Sequence, residues 1–190
     1  MTTFQEHFNH HNSNRTIRFE WSIKGYHIFH RRPDPAIKMK VEVEDNNRYD
    51  ESAMKVMVPS LDEIPQHLHG NVTRPENIQR RLPVQRVRDI AGKQIGRVPA
   101  NLCRAFRMLL RNNYVQEILC FYKGEARQSQ HPNMHQRFRR NSTGGHDQAG
   151  GGADLECTYY VSIRSANFEQ AMHILEEYVP RAELDSRLFA

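Results

Sequence analysis

No run in the sequence approaches the ~20 apolar residues that cross a bilayer as a helix. The opening residues, MTTFQEHFNHHNSNR, also lack the charged-then-apolar order of a secretory leader. An intracellular chain with no membrane partner is therefore expected. Cysteine is scarce: Cys103, Cys120 and Cys157 stand far apart with no CxxC or CxH spacing, which argues against a disulfide framework or a zinc knuckle. Each lies in an apolar-patterned segment and reads as a buried free thiol. The glycine-rich stretch GGHDQAGGG at 144–152 has neither the preceding strand nor the following Lys-Ser/Thr of a phosphate-cradling loop. No nucleophile beside a base, and no pair of carboxylates on one element, is placed convincingly for catalysis. The chain reads as non-catalytic, with no cofactor and no metal.

Apolar residues are sparse too, at 38% with a mean hydropathy of -0.78, against the ~45–50% usual in globular domains. Part of the chain must then be surface loop or unfolded. Residues 128–152, rich in Gly, Gln, His and Asn, read as a disordered insertion. His131, His135 and His146 there, like His7, His10 and His11 near the start, read as solvated side chains rather than metal ligands. Residues 60–91, with prolines at 65, 75 and 83 and no sustained period, read as a long excursion holding one helical turn around Glu76 to Arg81. With tails at 1–14 and 181–190, one domain over 15–180 remains, interrupted by insertions at 60–91 and 128–152.

What is present is alternation. Ile17, Phe19, Trp21 and Ile23 fall on one face of a strand, with Arg18, Glu20 and Ser22 on the other. Ile37 to Glu44 repeats the pattern, and Met54 to Val58, Gln94 to Val98, Val115 to Tyr122 and Leu155 to Ile163 are further strands. After Pro99, the residues Leu102, Phe106, Leu109 and Leu110 make the apolar stripe of a helix whose other side carries Arg104, Arg107 and Arg111. A second helix follows Asn167, which with Gln170 fits a capping box, and stops at Pro180. Six short strands with two packing helices predict a mainly β domain, a small OB-like six-stranded barrel.

Charge points to an acidic partner. The formal net charge is +5. Between Arg80 and Arg111 stand eight arginines and Lys93 against Asp89 alone, and the guanidinium fork suits phosphate. Tyr26, Tyr49 and Phe121 offer aromatic faces on or beside strands, and Asn46, Asn47 and Asp50 can hold a tight turn around Tyr49. Positive charge and stacking faces are what a single-strand groove needs. A carboxylate such as Asp50 can accept the hydrogen bond of a free 3′ hydroxyl and repel a phosphate in its place.

The elements NNRYD (46–50), AMKV (53–56) and IGRVP (95–99), in this order and followed by a helix, resemble the HIRAN domain. The likeness spans about Trp21 to Pro180. It implies a small barrel that captures single-stranded DNA ends, with Asn46 at the terminal nucleotide, Tyr49 packed on it and Asp50 at the 3′ hydroxyl. Tyr26 and His27 match the family's first-strand aromatic pair, Lys24 stands near the family's arginine, Arg97 lies in IGRVP, and Phe121, or equally Tyr122, matches a later aromatic. The resemblance implies a nuclear protein of DNA repair. HIRAN domains often accompany an ATPase motor, which these residues lack, and stand-alone HIRAN-like chains resemble this one more closely. Single-stranded RNA, or an acidic protein docked on the basic helix and the 60–91 insertion, are the alternative partners.

Overall fold

A computed structural model describes residues 14–74, 83–128, 153–180 and 184–187. Every strand expected from alternation is there. The strands are β1 (Asn14–Ile23), β2 (Met39–Val43), β3 (Met54–Met57), β4 (Val72–Arg74), β5 (Gln85–Arg86), β6 (Gln94–Arg97), β7 (Val115–Gln128), β8 (Ala153–Arg164) and β9 (Asp185–Arg187). Seven of them form one antiparallel sheet in the order β6-β3-β2-β7-β8-β1-β9, and β4 pairs with β5 separately. The expected six strands are thus seven. The extra one, β9, lies in the stretch read as a tail and pairs with Thr16, Ile17 and Arg18 at the outer edge of β1.

The inward residues of the alternating strands are those the pattern picked: Ile17, Phe19 and Ile23 on β1, Met39 and Val41 on β2, and Leu155, Cys157, Tyr159, Val161 and Ile163 on β8 are buried, while Trp21 on β1 is only half-buried against the core. They meet α3 (Ala100–Arg111), which buries Leu102, Cys103, Ala105, Phe106 and Leu109. The Phe106 ring lies 5.5 Å from that of Tyr159 and 6.3 Å from that of Phe19, and such aromatic contacts fix the helix on the sheet. The α4 helix (Phe168–Glu176) adds Ala171, Ile174 and Leu175 to the same core. Its start differs from the expected capping box: a 3-10 turn, Ser165–Asn167, leads in, and the Asn167 side chain makes no capping bond. All three cysteines are buried and free, and burial lifts the Cys103 thiol to about 11, so it stays protonated near neutral pH.

No continuous ladder closes this sheet into a barrel among the described residues. Its two sides meet at one bridge, where Lys24 N donates to Arg97 O and Arg97 N to Lys24 O, each at 2.9 Å. The neighbouring residue must be glycine for the chains to approach so closely, since a Cβ on Gly96 would fall 2.3 Å from Ile23 Cγ2 and 2.5 Å from the Lys24 carbonyl oxygen. Just past the bridge, Gly25 takes a left-handed conformation (φ 91°) and launches a single helical turn, α1 (Tyr26–Phe29). The 60–91 excursion is more ordered than its composition suggests. It contains two 3-10 turns, the β4–β5 pair and the short α2 helix (Val87–Ile90), pinned by a bond from Asn71 Nδ2 to Asp34 and one from Arg86 to the Gly70 carbonyl. The helical turn expected around 76–81, the bulk of the 128–152 insertion and the amino-terminal tail lie outside the described residues, as do the six histidines weighed as ligands. Among the described residues, no helix is long and apolar enough to cross a membrane.

Candidate functional site

The turn between β2 and β3 is built by its own polar side chains. Asn47 Oδ1 accepts from the backbone N–H groups of Tyr49 (3.0 Å) and Asp50 (3.2 Å), and its Nδ2 donates to Glu44 (3.2 Å). Asp50 Oδ1 accepts from Ser52 N at 2.8 Å, and the Glu44 and Ala53 backbones close the loop at 3.0 Å. These short-range bonds are the way Asn and Asp stabilise turns. Their result is a fixed loop that holds the Tyr49 ring entirely in solvent, at 101% relative exposure. Asn46 is exposed beside it, and the second Asp50 oxygen has no partner among the described residues.

Cations stand behind this loop. Arg97 donates from Nε and Nη2 to the two Glu44 oxygens, both at 2.8 Å, a bidentate pair at the base of the turn. Lys24, whose backbone is bridged to Arg97, forms an ion pair with Asp154 at the start of β8. Arg107 on α3 donates to the Glu51 carbonyl at 3.0 Å and ties the helix to the far side of the loop. The structure therefore brings Asn46, Tyr49, Asp50, Arg97 and Lys24 to one end of the sheet.

Tyr26 belongs to the same end, but on α1 rather than on a strand. Its ring is half-buried against the core, 6.2 Å from the His30 ring and 5.3 Å from the Arg32 guanidinium carbon. His27 follows on the same turn. Phe121 is not brought to the turn. Extrapolating the β2–β7 register, Met39↔Cys120 and Lys40↔Leu119, puts Phe121 level with Lys38. That is roughly 20 Å along the strand from Glu44, at about 3.3 Å per residue. Its ring packs against Tyr160, 5.2 Å away. The other aromatic weighed for that role, Tyr122, points into the core and buries its hydroxyl without a partner among the described residues.

The Glu44–Arg97 pair has a pH signature. The hydrogen bonds from Arg97, above all, and that from Asn47 hold the Glu44 carboxyl below its usual range, against an opposing effect of burial. A depressed folded-state value means that the contribution is complete above the unfolded value of about 4.3 and is lost as pH falls through the folded one. Acid unfolding of Glu44→Gln is therefore expected to lose part of the wild-type slope below about pH 4.5. Denaturant titrations at stepped pH values check this, and an unchanged slope would mean that the pair does not persist in solution.

Sequence reasoning missed the arginines around α1. Arg31 Nη1 donates to the Gln94 carbonyl at 2.6 Å, and Arg74 Nη1 donates to the His30 carbonyl. The run RR at 31–32 is the available signal, but Pro33 and Pro35 just after it mark the stretch as a connection and nothing more. No family model and no curated protein matches this chain. Among solved structures it is similar to the crystal structure of the HIRAN domain of human HLTF, at 14% identity and a TM-score of 0.45, over 88% of this chain and 93% of that one.

Proposed function

We propose that this chain binds single-stranded nucleic acid, by preference a DNA 3′ end, at the β2–β3 turn, and that it catalyses no reaction there. The observation that carries the reading is the wholly exposed Tyr49 ring on a loop fixed by Asn47. A phenol held clear of the protein is a face on which an unpaired base stacks. Beside it, Asp50 offers one uncommitted oxygen to a 3′ hydroxyl, and Asn46 an exposed amide to the terminal nucleotide. Lys24 and Arg97 are each paired with a carboxylate, yet both are part-exposed, at 45% and 41%. The Arg97 pair uses Nε and Nη2 and leaves Nη1 over, and the Lys24 ammonium has donors besides the one to Asp154, so a phosphate can share either cation without breaking its pair. Tyr26 extends the surface along α1, the turn that also carries His27. Phe121 has no place in this grouping. A nuclear location and a part in DNA repair accompany the reading.

The decisive measurement compares one labelled oligonucleotide carrying a free 3′ hydroxyl with the same strand carrying a 3′ phosphate. The phosphate is expected to weaken binding about 10-fold or more, since like charges are brought together at Asp50, and Asp50→Asn to shrink that ratio toward unity. Equal affinity for the two ends would remove end recognition from the proposal. A ribose version of the strand decides between DNA and RNA. A protein partner is the second reading, favoured by Met108, 39% exposed on α3 on the same face as exposed Arg104 and Arg111. An apolar side chain flanked by guanidinium groups suits an acidic amphipathic segment. That reading predicts no oligonucleotide binding even at low salt.

A further inference from the structure

Arg74 is only 8% exposed, yet no carboxylate lies within ion-pair distance of it among the described residues. A guanidinium withdrawn from water this far normally has a compensating charge. Its one described bond is from Nη1 to the His30 carbonyl, and its Nε is buried with no partner. The carbonyl that Arg74 grips belongs to the peptide that joins His30 to Arg31, so Arg74 reaches the backbone from which Arg31 and Arg32 project, and the three arginines are neighbours at the end of α1. Arg31 spends one donor on the Gln94 carbonyl. Arg32 sits over the Tyr26 ring and, like Arg74, buries an unpartnered Nε. Among the described residues, the acids nearby do not neutralise them. Asp34 is committed to Asn71 Nδ2 (2.9 Å) and to the Ala36 N–H (2.8 Å), and Glu125, exposed on β7, pairs with none of the three.

We infer that Arg31, Arg32 and Arg74 form a phosphate-binding site that seats a backbone phosphate of the bound strand, upstream of the terminus held at Tyr49 and Asp50. The inference rests on the function proposed above. The strand geometry sets the reach: Arg31 is tied to Gln94 and the turn is tied to Arg97, at the two ends of β6. Three residue steps along a strand make about 10 Å. A chain that stacks its last base on Tyr49 and runs along β6 passes Lys24 and Tyr26 before it meets the arginines. The cation–π contact between the Arg32 guanidinium and the Tyr26 ring, 5.3 Å from carbon to ring centre, keeps that charge close to the path. The His30 carbonyl just past α1 explains one donor of Arg74, as a helix cap does, and leaves its Nε and its charge without a partner among the described residues.

The test uses the double variant Arg31→Gln/Arg32→Gln in the full chain, with an oligonucleotide of about 8 nucleotides, a dinucleotide with a free 3′ hydroxyl, and inorganic pyrophosphate as an anion probe. The variant is expected to bind the longer strand about 10-fold more weakly at low salt, with the slope of log affinity against log salt reduced by about 1. Its dinucleotide affinity and its preference for a free 3′ end stay as in the wild type. Pyrophosphate raises the melting temperature of the wild type and not that of the variant. If the variant binds the longer strand with unchanged affinity and slope while the 3′ preference persists, this inference is overturned and the proposed function stands. If no oligonucleotide binds the wild type, the proposed function falls, and pyrophosphate decides the arginine site alone: no shift, or the same shift in both proteins, overturns it. Because Arg74→Gln risks misfolding, Arg74→Lys serves as the conservative companion, expected to retain the fold and to lose most of the pyrophosphate shift.

Discussion

Gly96→Ala is expected to lower the stability of this protein by about 2–3 kcal/mol, at the upper end for a small-to-large change in a tight site. The added methyl would meet Ile23 Cγ2 at 2.3 Å and the Lys24 carbonyl oxygen at 2.5 Å. The Ile23 side chain is fully buried and has little room to turn, and the second obstacle is backbone. Relief requires β1 and β6 to part, and parting stretches the paired Lys24 and Arg97 hydrogen bonds one residue away. The measurement is the midpoint of chemical denaturation beside that of Gly70→Ala, where a Cβ would meet nothing within 4 Å. The control is expected to stay within about 0.5 kcal/mol of the wild type. A Gly96→Ala protein as stable as this control would mean that the two strands do not meet there.

Tyr49→Ala should have the opposite profile, with a large loss of binding and an unmoved melting temperature. The ring touches no core residue and is fully exposed, so its removal leaves packing intact, and surface changes of this kind stay within about 0.5 kcal/mol. One stacked base is worth ~1–3 kcal/mol, which corresponds to roughly 5- to 150-fold in the dissociation constant for a short oligonucleotide. Tyr49→Phe keeps the face and should keep most of the affinity. Binding of the alanine variant at wild-type strength would remove the ring from the interface and with it the central support for the function proposed here.

Strand positions were legible because one face of this sheet is buried and the other wet. The alternation at Ile17, Phe19 and Ile23, and again along Leu155 to Ile163, records the core directly. The turn at 46–50 was legible for another reason: Asn47 and Asp50 act within a few residues of themselves, so composition alone carries the geometry. Contacts between distant segments left no such trace. Nothing in RRPDPA announces that Arg31 reaches Gln94, and nothing in VTR announces that Arg74 reaches His30. Phe121 misled because an aromatic on a strand has two faces to choose from, and here it pairs with Tyr160 on the side away from the core. Tyr26 was placed on or beside a strand, but Gly25 in its left-handed conformation turns the chain into a helical coil first.

The self-contained wiring of the 44–53 loop carries a practical corollary. Because Asn47 dictates the shape of the turn from within, weakening scaffold parts that touch none of Lys24, Arg97 and Arg107 should leave the binding proposed at Tyr49 unchanged until the whole molecule melts. Thermal robustness and the proposed grip on a strand are then two separate dials outside those three residues, and an engineer could adjust either without resetting the other.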